Sequence, residues 1–520
     1  MSFNFREKLQ SPAIKQAIVV LVTIVALFPA VTSLILSVNQ PQVQSNLQLY
    51  QIDLNLQASE TPATLDGGDP DDFRSLQASL LGEDPLATAE KQYETTLATA
   101  RKSLEKLQKT ENRRSIVRRR GDPLYDQINF VQEVELKLGT IEAELGKTEE
   151  AEKIWRKIID NADKELYKPS TVKSALLLEG LYDDPPRVLP NAAKRIERNF
   201  RGWFRDTALE RLYSSENRPE ALEALRQERG ERAIKALQTL LLISLLPILC
   251  ALVGIALLIA LLVQFFLRKD RSLLYLGENQ AWETPWDAYT IWLVLVVGFF
   301  FAGQIVLPVL FGGLWALLSI DAGSFSLSYK AIYIVISYLA LTIAGLSVLY
   351  LALAPFRPLP NGWFRFRWWG RWPLWGIGGY FVALPLVIVV SLINQRLWQG
   401  QGGSNPLLTL ALESRDTVAL VCFAFTATIA APFFEEILFR GFLLPSLTRY
   451  FPVWGAIGLS SLVFALAHQS LSEVLPLTVL GCVLGFVYTR SKNLLSSMLI
   501  HGLWNGGTLL SLYLLGSSAG

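Results

Sequence analysis

The sequence predicts an all-α membrane protein, a polytopic helix bundle of about nine transmembrane helices with a mostly helical extramembrane domain inserted after the first span. Apolar residues make up 51% of the 520 positions and charged residues only 18%, which is more apolar than soluble chains usually are. Apolar stretches of about 20 residues, the length that crosses a bilayer as a helix, recur along the chain. The expected spans are 17–38, 236–267, 288–318, 331–354, 375–394, 417–447, 453–468, 474–489 and 494–515.

The first and the eighth span differ from the others. Residues 17–38 are longer than a signal-peptide core and lack a small-x-small cleavage site, so we expect an uncleaved anchor. Residues 474–489 are short for a crossing and predict a re-entrant or tilted helix. The chain then has four parts: a cytoplasmic N-terminus with an anchor (1–39), a helical extramembrane domain (40–235), transmembrane helices 2–4 with a basic aromatic loop (236–374), and a C-terminal membrane core (375–520).

The region 40–235 has the charge distribution of a water-exposed domain. Residues 51–90 hold nine Asp/Glu against one Lys/Arg, whereas residues 101–120 hold nine Lys/Arg against two Asp/Glu. The composition of residues 41–85 indicates a linker, and a helical pattern follows from Thr88 to Lys109.

A helical hairpin is predicted within this domain. Its small and large residues fall on the packing positions of a tetratricopeptide-type repeat, a partner-binding module, at Leu138, Gly139, Gly146, Ala151 and Trp155. An ordinary hairpin that packs its own apolar stripe explains a single repeat equally well, because stable solenoids need at least three repeats. Both interpretations stay open.

Basic loops predict the orientation in the membrane. If the spans alternate, the Lys/Arg groups that follow the second, fourth, sixth and eighth spans lie on the side of the basic N-terminus, and the positive-inside rule makes that side cytoplasmic. We therefore expect an integral multi-pass protein with a cytoplasmic N-terminus, and with residues 40–235 and the C-terminus on the extracytoplasmic side. The groups are Arg6, Lys8 and Lys15; Arg268, Lys269 and Arg271; Arg357, Arg365, Arg367 and Arg371; Arg449; Arg490 and Lys492.

An aromatic and basic stretch, residues 363–372, follows the fourth span. It is typical of an interfacial belt that anchors the next helix at the membrane surface. A binding surface for a lipidated or amphipathic substrate is the alternative.

Two adjacent carboxylates lie inside an apolar span. Of the ten acidic residues after Ala236, only Glu435 and Glu436 are placed this way. A charge at the centre of such a helix costs about 2.5–3.5 kcal/mol even on the lenient insertion scale. Arg440, at i+4 from Glu436, predicts a structural ion pair with it. Glu435 is rotated by about 100° along the helix and has no such local partner, which favours a functional role.

The only two histidines of the chain lie on later apolar segments. His468 alone is explained equally well as a hydrogen-bonded packing residue. His501 and Asn505 are spaced i, i+4 and project from one helix face, so together they are able to donate hydrogen bonds to a developing oxyanion. We expect Glu435, His468, His501 and Asn505 to converge in one buried cavity, since isolated polar groups in hydrocarbon are costly.

Three motifs thus follow one another on successive apolar segments: Glu435-Glu436-x-x-x-Arg440, Phe464-x-x-x-His468 and His501-x-x-x-Asn505. Their ordered set resembles the motifs of the CAAX protease and bacteriocin-processing family, also called the Abi family. The resemblance covers about residues 375–515 and implies nothing firm about residues 1–235.

The resemblance implies an intramembrane endopeptidase that cleaves a membrane-associated protein or peptide. By carry-over, Glu435 is the general base that activates water, with His468 beside it. His501 and Asn505 stabilise the oxyanion, and Glu436 with Arg440 holds the first motif in place.

A metal is the open alternative in this mechanism. Glu435, His468 and His501 are able to supply three zinc ligands with water in the fourth position, and members of the family are often described as metalloproteases. The chain has no H-E-x-x-H helix, the strong zinc signature. If Glu435 were a ligand, Glu436 would have to act as the base and would lose its pairing with Arg440.

Two other classes of protein compete with the protease. A non-catalytic membrane scaffold would keep the fold and recruit a protein partner through residues 40–235. A transporter would use Glu435 and the histidines as a proton or metal relay, but it predicts internal repeats with paired broken helices, which the sequence lacks. The expected partners are a membrane substrate, the lipid bilayer and a protein bound by residues 40–235, and no nucleic acid.

Overall fold

The structure is a computed structural model, and every regular element that it describes is a helix. The predicted all-α class is confirmed. By its contacts the chain divides into two compact units: a membrane unit, Met1–Val38 with Pro247–Leu510, and a helical unit, Asn39–Leu246 with Ser511–Gly520. The described residues are 12–38, 43–62, 70–111, 123–161, 168–277, 280–320, 325–398, 401–403 and 416–518.

The helical unit is built from helices packed around one apolar core. The expected linker at 41–85 was wrong for its described parts, because Leu49, Ile52 and Leu56 of residues 43–59 are buried in this core and order the segment as a helix. The helices are α2 (Val43–Ser59), α3 (Pro70–Leu81), α4 (Pro85–Glu111), α5 (Pro123–Glu144), α6 (Thr148–Asp160), α7 (Pro169–Tyr182), α8 (Ala192–Asn199) and α9 (Gly202–Ser215), followed by the first part of α10 (Pro219–Arg268).

Helices α5 and α6 form the hairpin that the small and large residues predict. Leu138, Ala151 and Trp155 are buried in its interface, and the Trp155 ring packs directly against Gly139. The turn passes through Gly146, whose φ of 81° lies in the left-handed region that favours glycine. The tetratricopeptide interpretation of this hairpin stays a prediction.

The membrane unit contains the apolar helices. They are α1 (Pro12–Ser37), the second part of α10, α11 (Ala288–Leu317), α12 (Leu327–Leu353), α13 (Trp372–Trp398), α14 (Thr417–Leu447), α15 (Val453–Ala467), α16 (Leu471–Ser491) and, as far as Leu510, α17 (Leu494–Ser518).

Among the described residues, seven helices are long and apolar enough to cross a bilayer, so the expected count of nine is not confirmed. The two remaining expected spans correspond to α15, which has only 15 residues, and to α17, which is not among the seven. The expected shortness of the eighth span was wrong, since polar residues at both ends extend α16 to 21 residues.

The basic loops of the membrane unit meet at one face. Arg490, in the last turn of α16, donates hydrogen bonds to the carbonyls of Ser272 and Leu273, in the loop after α10. Asn493 donates to Arg367 O at 2.8 Å, which joins the loop after α16 to the loop after α12. The loop after α14 lies at the same face, because Arg449 donates hydrogen bonds to Thr284 O and Trp286 O in the loop after α10.

The aromatic stretch 363–372 divides into a buried and an exposed part. The ring of Trp363 is buried against Trp286, with ring centroids 4.3 Å apart. Trp368 and Trp369 are 70% and 95% exposed. The first part therefore packs the loop onto the bundle, and the exposed tryptophans are the part that suits an interfacial anchor.

Candidate active site

Helix α14 carries the two glutamates, and its hydrogen-bonding pattern is irregular around them. It has π-helical segments at Thr426–Ala430 and at Glu436–Leu443. Pro432 lies between the segments and has no backbone N–H, so the carbonyls one turn before it lose their usual donor. Such interruptions are frequent at functional sites and are tolerated in a membrane helix when a neighbour supplies the missing hydrogen bond.

Helix α17 supplies that hydrogen bond. Asn505 Nδ2 donates to Ala427 O at 2.8 Å. The backbones approach closely at this point, because a Cβ on Gly502 would lie 2.9 Å from Thr428 O. The Asn505 amide thereby has a fixed orientation, and its second N–H has no acceptor among the residues that the structure describes.

Glu436 and Arg440 form an ion pair in the interior of the unit. Arg440 Nη1 lies 2.8 Å from Glu436 Oε1, and both side chains are at most 1% exposed. Arg440 also lies over the ring of Phe464, 4.2 Å from its centroid, and its Nη2 donates to Gly481 O at 3.4 Å. The guanidinium thus connects α14 to α15 and α16.

His501 lies against the same carboxylate. Its Nδ1 is 2.9 Å from Glu436 Oε1, the oxygen that also accepts from Arg440. An ionised carboxylate only accepts, so Nδ1 carries the proton in this contact, and Nε2 of the neutral ring is an acceptor. The neutral ring therefore does not present the oxyanion donor that the sequence analysis assigned to His501, and only the imidazolium would do so.

Glu435 lies between His501 and a residue of α12. Its Oε1 accepts a hydrogen bond from the hydroxyl of Tyr338 at 2.8 Å. Its Oε2 is buried, has no hydrogen-bond partner within the described part of the chain, and lies 3.9 Å from His501 Nε2. That gap is too long for a direct hydrogen bond and short enough for one bridging water.

The ring of Phe464 lies between His468 and the third motif. His468 follows the last residue of α15, and its Nδ1 donates to Phe464 O at 2.9 Å. The Phe464 ring makes edge contacts with both imidazoles, with centroids 4.9 Å from His468 and 5.7 Å from His501.

Residues 417–507 match the family model described as type II CAAX prenyl endopeptidase, Rce1-like. This segment contains all three motifs and the contacts between their side chains. Residues 417–507 therefore form a domain similar to the CAAX protease family.

Three relatives match part of the chain, and the names of two of them agree with this assignment. A protein named as a membrane peptidase, YdiL of Bacillus subtilis, is 27% identical over 176 residues, which are 34% of this chain and 69% of the relative. The membrane-embedded CAAX protease MroQ of Staphylococcus aureus is 28% identical over 25% of this chain and 55% of its own length. The UPF0177 protein YxdF of Lactococcus lactis is 31% identical over 18% and 52%.

The chain thus spans only about half the length of the last two relatives. No solved structure matches the chain significantly. The protein is a multi-pass integral membrane protein with a membrane-protease domain.

The zinc ligands that the sequence suggests are not assembled in the CAAX protease domain. Among the described residues, the only group of three or more His, Cys, Asp or Glu with ligand atoms within 4.8 Å of one another is Glu90, Glu94 and Glu142, in the helical unit. Glu435, His468 and His501 do not form such a group, so the donor set does not fit a three-ligand zinc site as it stands.

Sequence reasoning missed two features of this site. Tyr338 lies outside the motifs on a helix with many apolar residues, and a tyrosine in a membrane span has many ordinary explanations. The contact of His501 with Glu436 was also not predicted, because residue spacing along one helix does not show which residues of another helix pack against it.

Proposed function

We propose that this protein is an intramembrane endopeptidase in which Glu435 activates water to hydrolyse a peptide bond of a membrane-associated protein or peptide. The observation that carries the proposal is Glu435 Oε2, a buried carboxylate oxygen that has no hydrogen-bond partner among the described residues and lies 3.9 Å from His501 Nε2. A buried polar atom of this kind needs a hydrogen bond, and a water between the two acceptors supplies one to each.

The chemistry follows from those two acceptors. Glu435 takes a proton from the water while the water oxygen attacks the scissile carbonyl carbon. The π electrons of the carbonyl group move to the carbonyl oxygen. When the tetrahedral intermediate collapses, the C–N bond breaks and Glu435 returns the proton to the leaving amine. His501 Nε2 orients the same water as its second acceptor.

The other motif residues support this step. Glu436 fixes the His501 ring through Nδ1, and Arg440 neutralises the buried Glu436 carboxylate. The free N–H of Asn505 is the donor for the oxyanion, since its first N–H is held by Ala427 O. His468 Nδ1 donates to Phe464 O, so Nε2 of the neutral His468 ring is a second proton acceptor for the site.

We propose the metal-free form of this mechanism because the zinc donor set is not assembled. We further propose a cytoplasmic N-terminus, an extracytoplasmic region 40–235, and recruitment of a protein partner by that region.

The test compares protein termini in membranes from cells that express the wild type, Glu435→Gln or Glu283→Gln. Glu283 is an exposed glutamate of the same unit and is the matched control. We expect a set of new termini in the wild type and in Glu283→Gln that is absent in Glu435→Gln. Identical termini in all three would favour the non-catalytic scaffold.

A further inference from the structure

We infer that Tyr338 is a positioning residue for the base: its hydroxyl occupies Glu435 Oε1 and thereby directs Oε2 to the water beside His501. The inference rests on the proposed function. Tyr338 belongs to α12 and lies outside the matched segment 417–507. The membrane-protease domain is then incomplete without a helix that precedes it in the chain.

The first support is the asymmetry of the Glu435 carboxylate. Oε1 accepts the Tyr338 hydrogen bond at 2.8 Å, whereas Oε2 has no partner within the described residues. The two oxygens of a free carboxylate exchange by rotation about the last side-chain torsion, which is broad and roughly two-fold. A hydrogen bond to one oxygen restricts that rotation and leaves the other oxygen in a defined place.

The second support is the rigid placement of Tyr338 itself. Its ring lies edge-on to Phe434, the neighbour of Glu435, with centroids 6.2 Å apart. Phe434 is fully buried and packs onto α12 at Gly345, where a Cβ would lie 2.8 Å from its ring. Helices α12 and α14 therefore meet closely beside the glutamate, so the hydroxyl has little freedom to leave Oε1.

The third support is the polarity of the surroundings. Helix α12 is rich in apolar residues, and the Thr342 hydroxyl, one turn from Tyr338, is bonded to the Tyr338 carbonyl. The phenol is thus the group of α12 that reaches the carboxylate. A phenol donates one hydrogen bond without adding a charge, which holds the base without neutralising it as a Lys or Arg would.

The experiment uses Tyr338→Phe in the full-length protein, with Tyr333→Phe on the same helix as the matched control. Tyr333 makes ring contacts with Phe311 and Trp315, away from Glu435. With a substrate peptide taken from the termini comparison, we expect Tyr338→Phe to lower kcat about 10-fold to 10²-fold with KM unchanged, because only the positioning of the base is lost. Tyr333→Phe should keep the wild-type kcat.

Infrared difference spectroscopy supplies a readout that does not depend on turnover. The carboxylate band assigned to Glu435 by its loss in Glu435→Gln should shift in Tyr338→Phe and stay in place in Tyr333→Phe. An unshifted band or a wild-type kcat in Tyr338→Phe would overturn the inference about Tyr338. The proposed function would still stand if Glu435→Gln is inactive. Activity in Glu435→Gln would instead remove the proposed function.

Discussion

At the scale of single residues, Glu436 is the residue that holds both Arg440 and His501. One oxygen, Oε1, accepts from both Arg440 and His501, so a single buried carboxylate connects the first motif to the third. The sequence predicted the Arg440 pair from its i, i+4 spacing. It could not predict that His501 lies against the same oxygen, because that depends on how α17 packs on α14.

Glu436→Gln should destabilise the protein by about 3–5 kcal/mol, since the change leaves Arg440 as a buried charge without its counter-ion. The double variant Glu436→Gln with Arg440→Met should recover much of this loss, because it also removes the unpaired charge. Thermal melting of the purified variants in detergent measures both. Equal melting temperatures for the wild type and Glu436→Gln would contradict the role of the pair.

Glu142 predicts a pH dependence of the helical unit. Burial, and after it the nearby Glu90, raises the pKa of Glu142 from 4.5 to about 6. The folded state therefore binds this proton more tightly than the unfolded state, and the resulting stability is complete below pH 4.5 and is lost as the pH rises through 6.

Glu142→Gln should thus stabilise the protein by about 1 kcal/mol at pH 7.5, a value that allows for solvent screening of the cluster, and by nothing at pH 4.5. Denaturation of the full chain at the two pH values measures this, with the exposed Glu223→Gln of α10 as the control. A gain that is the same at both pH values would show that Glu142 does not titrate in this way.

At the scale of helices, α17 contacts α14 at the irregular segment that precedes the glutamates. Pro432 has no backbone N–H to donate to the carbonyls one turn before it. In the structure the carbonyls before it are the surface that Asn505 and Gly502 contact. The helices that carry the motifs were predictable from the length of their apolar stretches. This contact was not predictable, because it depends on how α17 packs on α14.

Pro432→Ala should lower turnover about 10-fold to 10²-fold while the protein stays folded. The alanine N–H restores a donor one turn before the glutamates and competes with the Asn505 amide for the same carbonyls. Turnover and melting temperature of the purified variant measure the effect. A wild-type turnover would show that the irregular α14 is not needed for catalysis.

At the scale of the whole molecule, the sequence predicted an all-α membrane protein, and its count of nine spans is not confirmed, since seven described helices are long and apolar enough to cross a bilayer. Apolar stretches are visible in one chain, but the length of each helix depends on polar residues at its ends, as in α16. The loops after α10, α12, α14 and α16 lie on one face of the membrane unit, which supports the alternation of spans.

A reporter fused near Asp183, in the helical unit, should therefore report an extracytoplasmic location, and one fused within the loop after α12 should report a cytoplasmic one. Activity of the two reporters in whole cells measures this. A cytoplasmic signal at Asp183 would reverse the orientation, with the fold unchanged.

The central claim is that Glu435 activates water without a metal. The most direct measurement is turnover of an identified substrate by the purified full-length protein after exhaustive chelation, for the wild type, Glu435→Gln and Glu283→Gln. We predict that the chelated wild type and Glu283→Gln keep their turnover, and that Glu435→Gln loses it while melting at the wild-type temperature, because the amide cannot accept the proton. Turnover by Glu435→Gln, or loss of wild-type turnover on chelation with recovery on adding zinc, would contradict the claim.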